Sequence, residues 1–401
     1  MAREYDLVII GGGIGGYTAA IRASQLGMKT ALVEKKKLGG TCLHTGCIPT
    51  KTFLKSAEIF RQVKQAGTYG IQTKAVTVDH SAIQKRKEKV VSRLHKGLQL
   101  LIEKNKIDVV PGTGRLLGPS IFSPLAGSVS VAMDGDNEIL IGNYVLLATG
   151  SVPRSIPDLE FDGEYILSSD DCLNLASFPD SIIIIGGGVI GVEWASIFAD
   201  FGVQVTIVES ADSLIPREDE EISQVLEKKL LQKGVQIMTK AKIISVQKGD
   251  AISLELDQEG KRQKVKAEKI LVAIGREPAL EGIGLENTQI RWTEGVIETN
   301  AYYQTNESHI YAVGDCIGGM QLAHVAAREG IIAVEHMAGE DPEPLDERLI
   351  PRCIYSDPQV ASIGFSEKEA LEKGYTIKRA QIPFRAIGKA LVNGNTDGFV
   401  K

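Results

Sequence analysis

The sequence lacks the features of a membrane or nucleic-acid-binding protein. Across its 401 residues no apolar run is long enough to span a bilayer. The first apolar run, residues 7–10, stops at Gly11 and follows acidic residues, unlike a signal peptide. Positive charge is not in excess, since the net charge is -6 and the pI about 5.7, which disfavours nucleic acid or anionic membranes as partners. We therefore expect a cytoplasmic protein.

Cysteine is sparse and odd in number, which excludes a secreted disulfide scaffold. A zinc site would need further Cys or His ligands at finger-like spacing, and none is present, so no metal is expected. In a reducing compartment a close cysteine pair is instead expected to be catalytic. The chain has one such pair, Cys42 and Cys47, whereas three other cysteines are interpreted as bystanders: Cys172, Cys316 and Cys353.

An internal repeat organises the chain. Residues 6–16 and 181–191 match without a gap, and each copy leads to a strand-like run that closes on an acid, Glu34 or Glu209. The offset is constant, since 186 − 11 and 209 − 34 both give 175. Each copy reads as a strand, a glycine turn, a helix and a second strand, with a continuous apolar run typical of a strand covered on both faces.

The glycines of each copy have separate roles. The first permits a tight turn, the second lets backbone approach a pyrophosphate, and the third allows close packing of helix on strand. The acid is placed to accept hydrogen bonds from a ribose. Two such units at one spacing predict two dinucleotide sites. The glycines are Gly11, Gly13 and Gly16 in the first copy and Gly186, Gly188 and Gly191 in the second.

The second acid also selects the cofactor. A 2′-phosphate near the Glu209 carboxylate would meet repulsion of roughly 1 to 4 kcal/mol at about 4 Å, depending on the dielectric. No arginine lies between Glu209 and Pro216 to bind such a phosphate. The second site is therefore expected to prefer NAD over NADP.

The cysteine pair closely follows the first repeat, within residues 39–51. A dithiol there can exchange two electrons with a bound redox cofactor, which predicts a flavin-linked disulfide oxidoreductase. Thiolates form more readily near positive charge or a helix N-terminus. Since Pro49 suits a first helical turn, we expect Cys47 at a helix start with Lys51 one turn later.

The remaining chain predicts helices and linkers. Residues 59–106 are expected to form long helices, including one over 84–106. Residues 151–160 and 339–351 are rich in proline and read as linkers. The acidic cluster at 218–221 is expected on a solvated helix start. Trp194 is expected to serve packing.

Over its whole length the chain resembles the pyridine nucleotide–disulfide oxidoreductases. Besides the repeats and the cysteine segment, the resemblance rests on four motifs, at residues 148–150, 305–315, 322–324 and 350–353. It implies an α/β fold with two Rossmann-like dinucleotide-binding domains, for FAD and NAD, and an incomplete C-terminal α+β interface domain. The expected domains are 1–150 (FAD, first part), 151–274 (NAD), 275–348 (FAD-binding or central, second part) and 349–401 (dimerisation, truncated).

The resemblance also implies residue roles. Cys42 would be the outer thiol that exchanges with substrate, and Cys47 the thiol next to the flavin. Lys51 would point at the flavin and pair with Glu193, which completes the catalytic set. The implied FAD ligands are Gly11, Gly13, Gly16, Glu34, Thr41, Lys51, Gly114, Thr149, Gly150, Asp315 and Ala323, and the NAD ligands are Gly186, Gly188, Gly191, Glu209 and Gly275.

Within the family, the cysteine segment is most similar to enzymes that oxidise protein-bound dihydrolipoyl groups. That branch implies electron transfer from substrate through a Cys42–Cys47 disulfide and FAD to NAD⁺. The implied partners are the lipoyl domain of an acyltransferase or a glycine-cleavage carrier protein, and a second copy of the chain through the C-terminal domain.

The sequence departs from the family at its end. Members carry a catalytic His, oriented by a Glu, in a segment beyond Lys401, so we expect a piece of a longer enzyme. Other histidines are poor substitutes: His44 is interpreted as a loop residue and His324 as structural. Alternatives are a mercuric or glutathione reductase-like enzyme, or a non-catalytic flavoprotein subunit. Four further histidines are interpreted as surface or packing residues: His80, His95, His309 and His336.

Overall fold

A computed structural model describes residues 3–119, 127–133, 135, 137–249 and 251–401. The chain divides into two compact units. The first unit comprises Met1–Pro49, Glu88–Val152 and Arg276–Asp346. The second unit comprises Thr50–Lys87, Pro153–Gly275 and Glu347–Lys401. The structure thus groups residues 347–401 with the second unit, and the four-part division expected from the sequence stays a prediction.

Strands and helices alternate over residues 3–34 and 166–238, whereas runs of strands or of helices form much of the remaining described chain. The strands are β1 Arg3–Ile10, β2 Thr30–Glu34, β3 Asp108–Pro111, β4 Thr113–Leu116, β5 Val129–Ala132, β6 Asn137–Leu147, β7 Ser151–Pro153, β8 Ile166–Leu167, β9 Ser181–Ile185, β10 Gln204–Val208, β11 Gln236–Met238, β12 Ala241–Gln247, β13 Ile252–Gln258, β14 Lys261–Ala267, β15 Lys269–Val272, β16 Arg276–Pro278, β17 Trp292–Thr293, β18 Val296–Ile297, β19 Ile310–Ala312, β20 Arg352–Ile354, β21 Val360–Ser362, β22 Ile382–Pro383 and β23 Phe399–Val400. The helices are α1 Ile14–Gln25, α2 Gly40–His44, α3 Cys47–Lys64, α4 His80–Lys104, α5 Ser169–Cys172, α6 Val189–Asp200, α7 Glu220–Gln232, α8 Ala323–Met337, α9 Glu367–Glu372 and α10 Gly388–Val392. Short 3-10 turns lie at Ala66–Tyr69, Leu285–Asn287, Gly314–Ile317, Glu347–Leu349 and Phe384–Ala386.

The first unit is built on a mixed sheet with the order β3-β2-β1-β6-β5-β4, and β19 also pairs with β6. Strand β1 is parallel to both neighbours, while β4, β5 and β6 pair antiparallel. Leu7 and Ile9 enter one apolar cluster, and Val8 and Ile10 enter another. Both faces of β1 are therefore covered, which explains its unbroken apolar run.

The second unit repeats this arrangement on a parallel sheet with the order β11-β10-β9-β15-β8. In β9, Ile182 and Ile184 pack into one cluster, and Ile183 and Ile185 into another. Trp194 of α6 is fully buried in the first of these clusters, as the sequence predicts. The unit also contains an antiparallel sheet, β12-β13-β14, and two two-stranded sheets, β20-β21 and β22-β23. The predicted α/β class is confirmed.

Two local expectations are confirmed only in part. The helix expected over 84–106 is confirmed as α4, which begins at His80, whereas residues 59–79 form only the end of α3, a 3-10 turn and a stretch without helix. The acidic cluster at 218–221 lies at the start of α7, as expected, but it is not solvated throughout, because Glu218 accepts a hydrogen bond from Arg352 Nε at 3.1 Å with only 6% of its side chain exposed. The sequence pattern could not show that cations from residues 352–401 neutralise these acids.

Candidate dinucleotide and dithiol sites

The first glycine turn joins β1 to α1 in the first unit. Gly11 has φ +108°, and a Cβ there would lie 2.2 Å from the Ala148 carbonyl oxygen. A Cβ at Gly16 would lie 1.9 Å from the Gly11 carbonyl oxygen. At Gly13 the nearest described atom would be Gly40 Cα, at 4.0 Å. The first and third glycines are thus required by packing, whereas the second leaves room for a ligand.

The second glycine turn joins β9 to α6 in the second unit and repeats this pattern. A Cβ at Gly186 would lie 2.4 Å from the Ala273 carbonyl oxygen, and one at Gly191 would lie 2.0 Å from the Gly186 carbonyl oxygen. At Gly188 a Cβ would meet no described atom within 4 Å. The open position again coincides with the glycine that the sequence assigns to a pyrophosphate.

Both helices that follow the turns begin without help from a side chain. Gly13 is the N-cap of α1 and Gly188 that of α6, and in the described part of the chain no side chain caps either helix. The first N–H groups of a helix have no partner within it, and the helix dipole favours an anion there. Each turn therefore fits a bound phosphate group.

The two acids are held by equivalent backbone bonds. Glu34 accepts hydrogen bonds from the N–H groups of Gly12 at 2.8 Å and Lys36 at 2.7 Å. Glu209 accepts from Gly187 at 2.6 Å and Ala211 at 2.7 Å. An ionised carboxylate has about four acceptor positions, so each acid keeps capacity for ribose hydroxyls.

The dithiol segment leaves the first unit's strand β2 and returns to its glycine turn. Gly39 N–H donates to the Gly12 carbonyl at 2.8 Å, and a Cβ on Gly40 would lie 2.7 Å from Gly13 Cα. Cys42 then lies in the one-turn helix α2, and Cys47 is the first residue of α3; both are half-buried. The backbone thus brings the cysteine segment to the first glycine turn.

His44 lies at the end of α2, not in a loop as expected. Its Nε2 and the Nδ1 of His95 both contact the Leu38 carbonyl oxygen, at 2.8 and 3.0 Å, and the two rings lie edge to face at 5.2 Å. Burial holds the pKa of His44 below its ordinary value of 6.5, and the charges of His95 and Lys37 act in the same direction. His44 is therefore a neutral anchor of the segment that carries Cys42.

Lys51 continues α3 in the second unit and pairs with Glu193 of α6. Its Nζ donates to both carboxylate oxygens, at 2.9 and 2.8 Å. The Glu193 side chain is only 4% exposed, so its negative charge is compensated largely by this lysine.

Asp315 belongs to a polar group in the first unit that sequence reasoning missed in part. It accepts a hydrogen bond from the Ser151 hydroxyl, whose oxygen accepts from Arg276 Nε at 2.8 Å. Arg276 also donates to the Ser151 carbonyl at 2.8 Å. The signal for this arginine is its place directly after Gly275, which follows β15, but nothing in the sequence pairs it with residue 151.

The other assigned residues take the following places. Thr41 is in α2, Gly114 is buried in β4, and Ala323 is the first residue of α8. Thr149 and Gly150 follow β6, and Gly275 follows β15. The structure brings the assigned FAD residues together in the first unit, with Lys51 as the exception, and brings the NAD residues, Lys51 and Glu193 into the second unit.

The remaining cysteines differ from the pair in environment. Cys172 and Cys316 are buried, and burial raises the pKa of both thiols, that of Cys316 to about 12. Cys353 is exposed. Among the described residues no group of acids, histidines and cysteines is arranged to hold a metal ion, and no helix has the length and apolar character to cross a membrane.

Comparison with known proteins agrees with this geometry. Residues 5–330 match the family described as pyridine nucleotide-disulphide oxidoreductase, and residues 350–401 match the dimerisation domain of that family. A dihydrolipoyl dehydrogenase of Bacillus subtilis (strain 168) is 54% identical over 406 residues, which cover 100% of this chain and 86% of that protein. One from Zymomonas mobilis subsp. mobilis is 39% identical over 404 residues, with 100% and 85% covered.

Solved structures share the fold over nearly the whole chain. LpdA from Mycobacterium tuberculosis superposes with a TM-score of 0.90 at 28% identity, covering 99% of this chain and 86% of that one. The HOCl-induced flavoprotein disulfide reductase RclA from Escherichia coli gives 0.84 at 29% identity, covering 98% and 85%. With two glycine turns, a cysteine segment bonded to the first, and these matches, the chain belongs to the pyridine nucleotide–disulphide oxidoreductase family.

Proposed function

We propose that this chain is a dihydrolipoyl dehydrogenase, which oxidises a protein-bound dihydrolipoyl group to lipoyl and reduces NAD⁺ to NADH. The observation that carries the proposal is the dithiol segment bonded to the backbone of the first dinucleotide turn. Relatives with that name support the assignment, including a second one from Bacillus subtilis (strain 168) at 44% identity over 400 residues.

The cofactors are FAD and NAD, and the two turns fit them. We assign the first turn to FAD, held by the N-terminus of α1 and by Glu34, and the second to NAD, held by the N-terminus of α6 and by Glu209. When bound, FAD supplies the acceptor that takes two electrons from the dithiol and passes them to NAD⁺. Because Glu209 faces the expected position of the ribose, a 2′-phosphate would be repelled there.

The cysteines would carry the thiol chemistry by disulfide exchange. One substrate thiolate attacks Sγ of Cys42, the Cys42–Cys47 bond breaks, and Cys47 leaves as a thiolate. The second substrate sulfur then attacks its partner, which closes the lipoyl disulfide and releases Cys42. The substrate loses two electrons and two protons; the electrons stay on the cysteine pair, one proton goes to Cys42 and the other to solvent.

The environment of Cys47 supports its role as the thiolate. It is the first residue of α3, where the helix dipole favours negative charge, and Lys51 follows one turn later. Glu193 holds the Lys51 ammonium by two hydrogen bonds, so the cation has a fixed position.

The partners are inferred from the reaction and from the C-terminal residues. We infer a lipoyl-bearing domain of an acyltransferase or of a glycine-cleavage carrier as substrate. Because residues 350–401 match a dimerisation domain, we also infer a homodimer. The sparse cysteines, with one close pair, suit a reducing cytoplasm.

Steady-state kinetics with dihydrolipoamide and NAD⁺ test the proposal. The FAD-loaded protein should reduce NAD⁺, and Cys42→Ser and Cys47→Ser should each abolish turnover, whereas the matched control Cys353→Ser should not. Preference for glutathione disulfide and NADPH over this pair would instead favour a glutathione reductase-like enzyme.

A further inference from the structure

Glu193 joins a second element besides α3. Its Oε1 accepts a hydrogen bond from the backbone N–H of Tyr355 at 2.9 Å, in addition to the two bonds from Lys51. Three residues later on α6, Ser196 Oγ accepts from the N–H of Asp357 at 3.1 Å. Residues 193 and 196 share a helix face, so they fix the backbone of residues 355–357 against α6 at two points.

The ring of Tyr355 is placed by this backbone. The Lys51 Nζ lies 4.9 Å from the centroid of the ring, within the distance at which an ammonium is attracted to an aromatic face. The residue is 44% exposed, and Ile354 before it is 2% exposed. Because Ile354 is the residue that packs into the core at this point, packing alone does not explain why residue 355 is aromatic.

We propose that Tyr355 is a positioning residue for Lys51. A lysine ammonium on four methylenes can pivot about a single carboxylate, and the ring supplies a second point of attachment. The proposal rests on the function proposed above, in which Lys51 supports the Cys47 thiolate from one turn along α3. Residues after β20 thereby help to set the environment of the dithiol through the lysine.

Two substitutions separate the ring from the bulk of the side chain. Tyr355→Phe keeps the aromatic face and removes the hydroxyl, whereas Tyr355→Leu keeps apolar volume and removes the face. Neither change alters the backbone N–H of residue 355, which donates a hydrogen bond to Glu193. Tyr355→Gln provides a second non-aromatic variant if the leucine variant does not fold.

The first readout is the acetylation rate of Lys51 in the FAD-loaded protein, measured with acetic anhydride and peptide mass spectrometry. A loss of this contact should raise the rate about two- to fivefold in the leucine variant, and the phenylalanine variant should match the unchanged protein. Lys55, also in α3 and 51% exposed, is the internal control and should react at the same rate in every variant.

The second readout is the pH at which iodoacetamide alkylation of Cys47 reaches half its maximal rate, in the reduced FAD-loaded protein. It should rise in the leucine variant only. Equal acetylation rates of Lys51 in the leucine and phenylalanine variants would contradict the proposed contact. An unchanged pH dependence of Cys47 alkylation would contradict its proposed effect on the thiol. Both readouts are independent of lipoamide turnover, so a failure of the proposed function would be seen separately in the dihydrolipoamide assay.

Discussion

Beyond the acid of each repeat, the two units make one more pair of equivalent contacts and then diverge. A Cβ on Gly12 would lie 2.9 Å from Leu38, and one on Gly187 would lie 2.4 Å from Leu214. In both units the backbone N–H of the residue after this leucine donates to the glycine turn. Gly39 donates to the Gly12 carbonyl at 2.8 Å, and Ile215 donates to the Gly187 carbonyl at 2.9 Å. The repeat therefore extends past the acids, with one residue inserted in the second copy.

The course of the chain after these contacts differs between the two units. In the first unit Gly39 and Gly40 are both left-handed, with φ +110° and +58°, and turn the chain into the helix that carries Cys42. In the second unit Ile215 is left-handed, at φ +43°, and the chain leaves toward Pro216. Under the proposed function, one scaffold binds a dinucleotide in both units and gains thiol chemistry only where a glycine pair lets the chain return to the turn.

One of the differences between the helices after the turns concerns backbone packing. Gly15 of α1 corresponds to Ile190 of α6. A Cβ on Gly15 would lie 3.3 Å from the Ala326 carbonyl oxygen, and one on Gly330 would lie 2.6 Å from the Gly15 carbonyl oxygen. Helix α8 therefore crosses α1 at backbone distance, and this crossing accounts for the extra glycine of the first copy.

The largest effect should follow substitution of the third glycines. Gly16→Ala and Gly191→Ala place a methyl group within 2.0 Å of a carbonyl oxygen, and each should lower the free energy of unfolding by about 3 kcal/mol. Gly188→Ala meets no described atom within 4 Å and should cost less than about 1 kcal/mol while weakening NAD binding. Urea unfolding and NAD titration measure the two effects. Equal destabilisation by Gly188→Ala and Gly191→Ala would contradict the division of roles.

The next effect concerns the helix crossing. Gly15→Ile, which transfers the second copy's residue into the first, should separate α8 from α1 and cost about 2 kcal/mol. The control Ile190→Ala, at the corresponding position of α6, removes a partly buried side chain and should cost about 1 kcal/mol. Thermal unfolding with hydrogen exchange on peptides of α1 and α8 measures this. Unchanged exchange in Gly15→Ile would argue against a close crossing.

Substitutions of the two acids should affect different cofactors. Glu209→Gln removes the negative charge near the proposed position of the NAD ribose and should shift the kcat/KM ratio of NADP⁺ to NAD⁺ about tenfold toward NADP⁺. Glu34→Gln should instead lower the FAD content of the purified protein and leave that ratio unchanged. If both variants changed the NADP⁺ to NAD⁺ ratio alike, the assignment of one turn to each cofactor would be wrong.

The smallest effect is the pH dependence of stability that comes from His44, which lies in the segment that follows these contacts in the first unit. Because burial lowers its pKa in the folded state, the unfolded state binds the proton more tightly. The contribution of neutral His44 to the free energy of unfolding is fully present above its ordinary pKa of 6.5, and it is lost as the pH falls through the lower pKa of the folded state. Urea midpoints from pH 8 to 5 should therefore fall less in His44→Asn. His80, whose pKa is also lowered by burial, should give a separate loss that persists in this variant.

Patterns local in the chain could be predicted from the sequence. The apolar runs of β1 and β9, the glycine turns and the start of α3 at Cys47 all follow from short-range rules. The constant offset of the repeat added a long-range prediction, namely two similar sheets. The matching strand orders β3-β2-β1-β6 and β11-β10-β9-β15 bear this out, and the bonds from Gly12 to Glu34 and from Gly187 to Glu209 repeat the same local contact.

Contacts between distant segments could not be predicted in this way. The pairing of Glu218 with Arg352, of Ser151 with Arg276, and of His44 with His95 depends on packing that no spacing rule encodes. The grouping of residues 50–87 and 347–401 with the second unit likewise comes from tertiary structure. When only neighbours along the chain are considered, Ser151 is interpreted as part of a linker and His95 as a surface or packing residue.

The thiol state of Cys42 and Cys47 before and after substrate tests the central claim most directly. The FAD-loaded protein is treated with dihydrolipoamide without oxygen or NAD⁺, alkylated, and analysed by peptide mass spectrometry, with buried Cys172 and Cys316 as unreactive controls. We predict that Cys42 and Cys47 are unlabelled before the substrate and both labelled after it. Equal labelling of the pair before and after substrate would contradict the account.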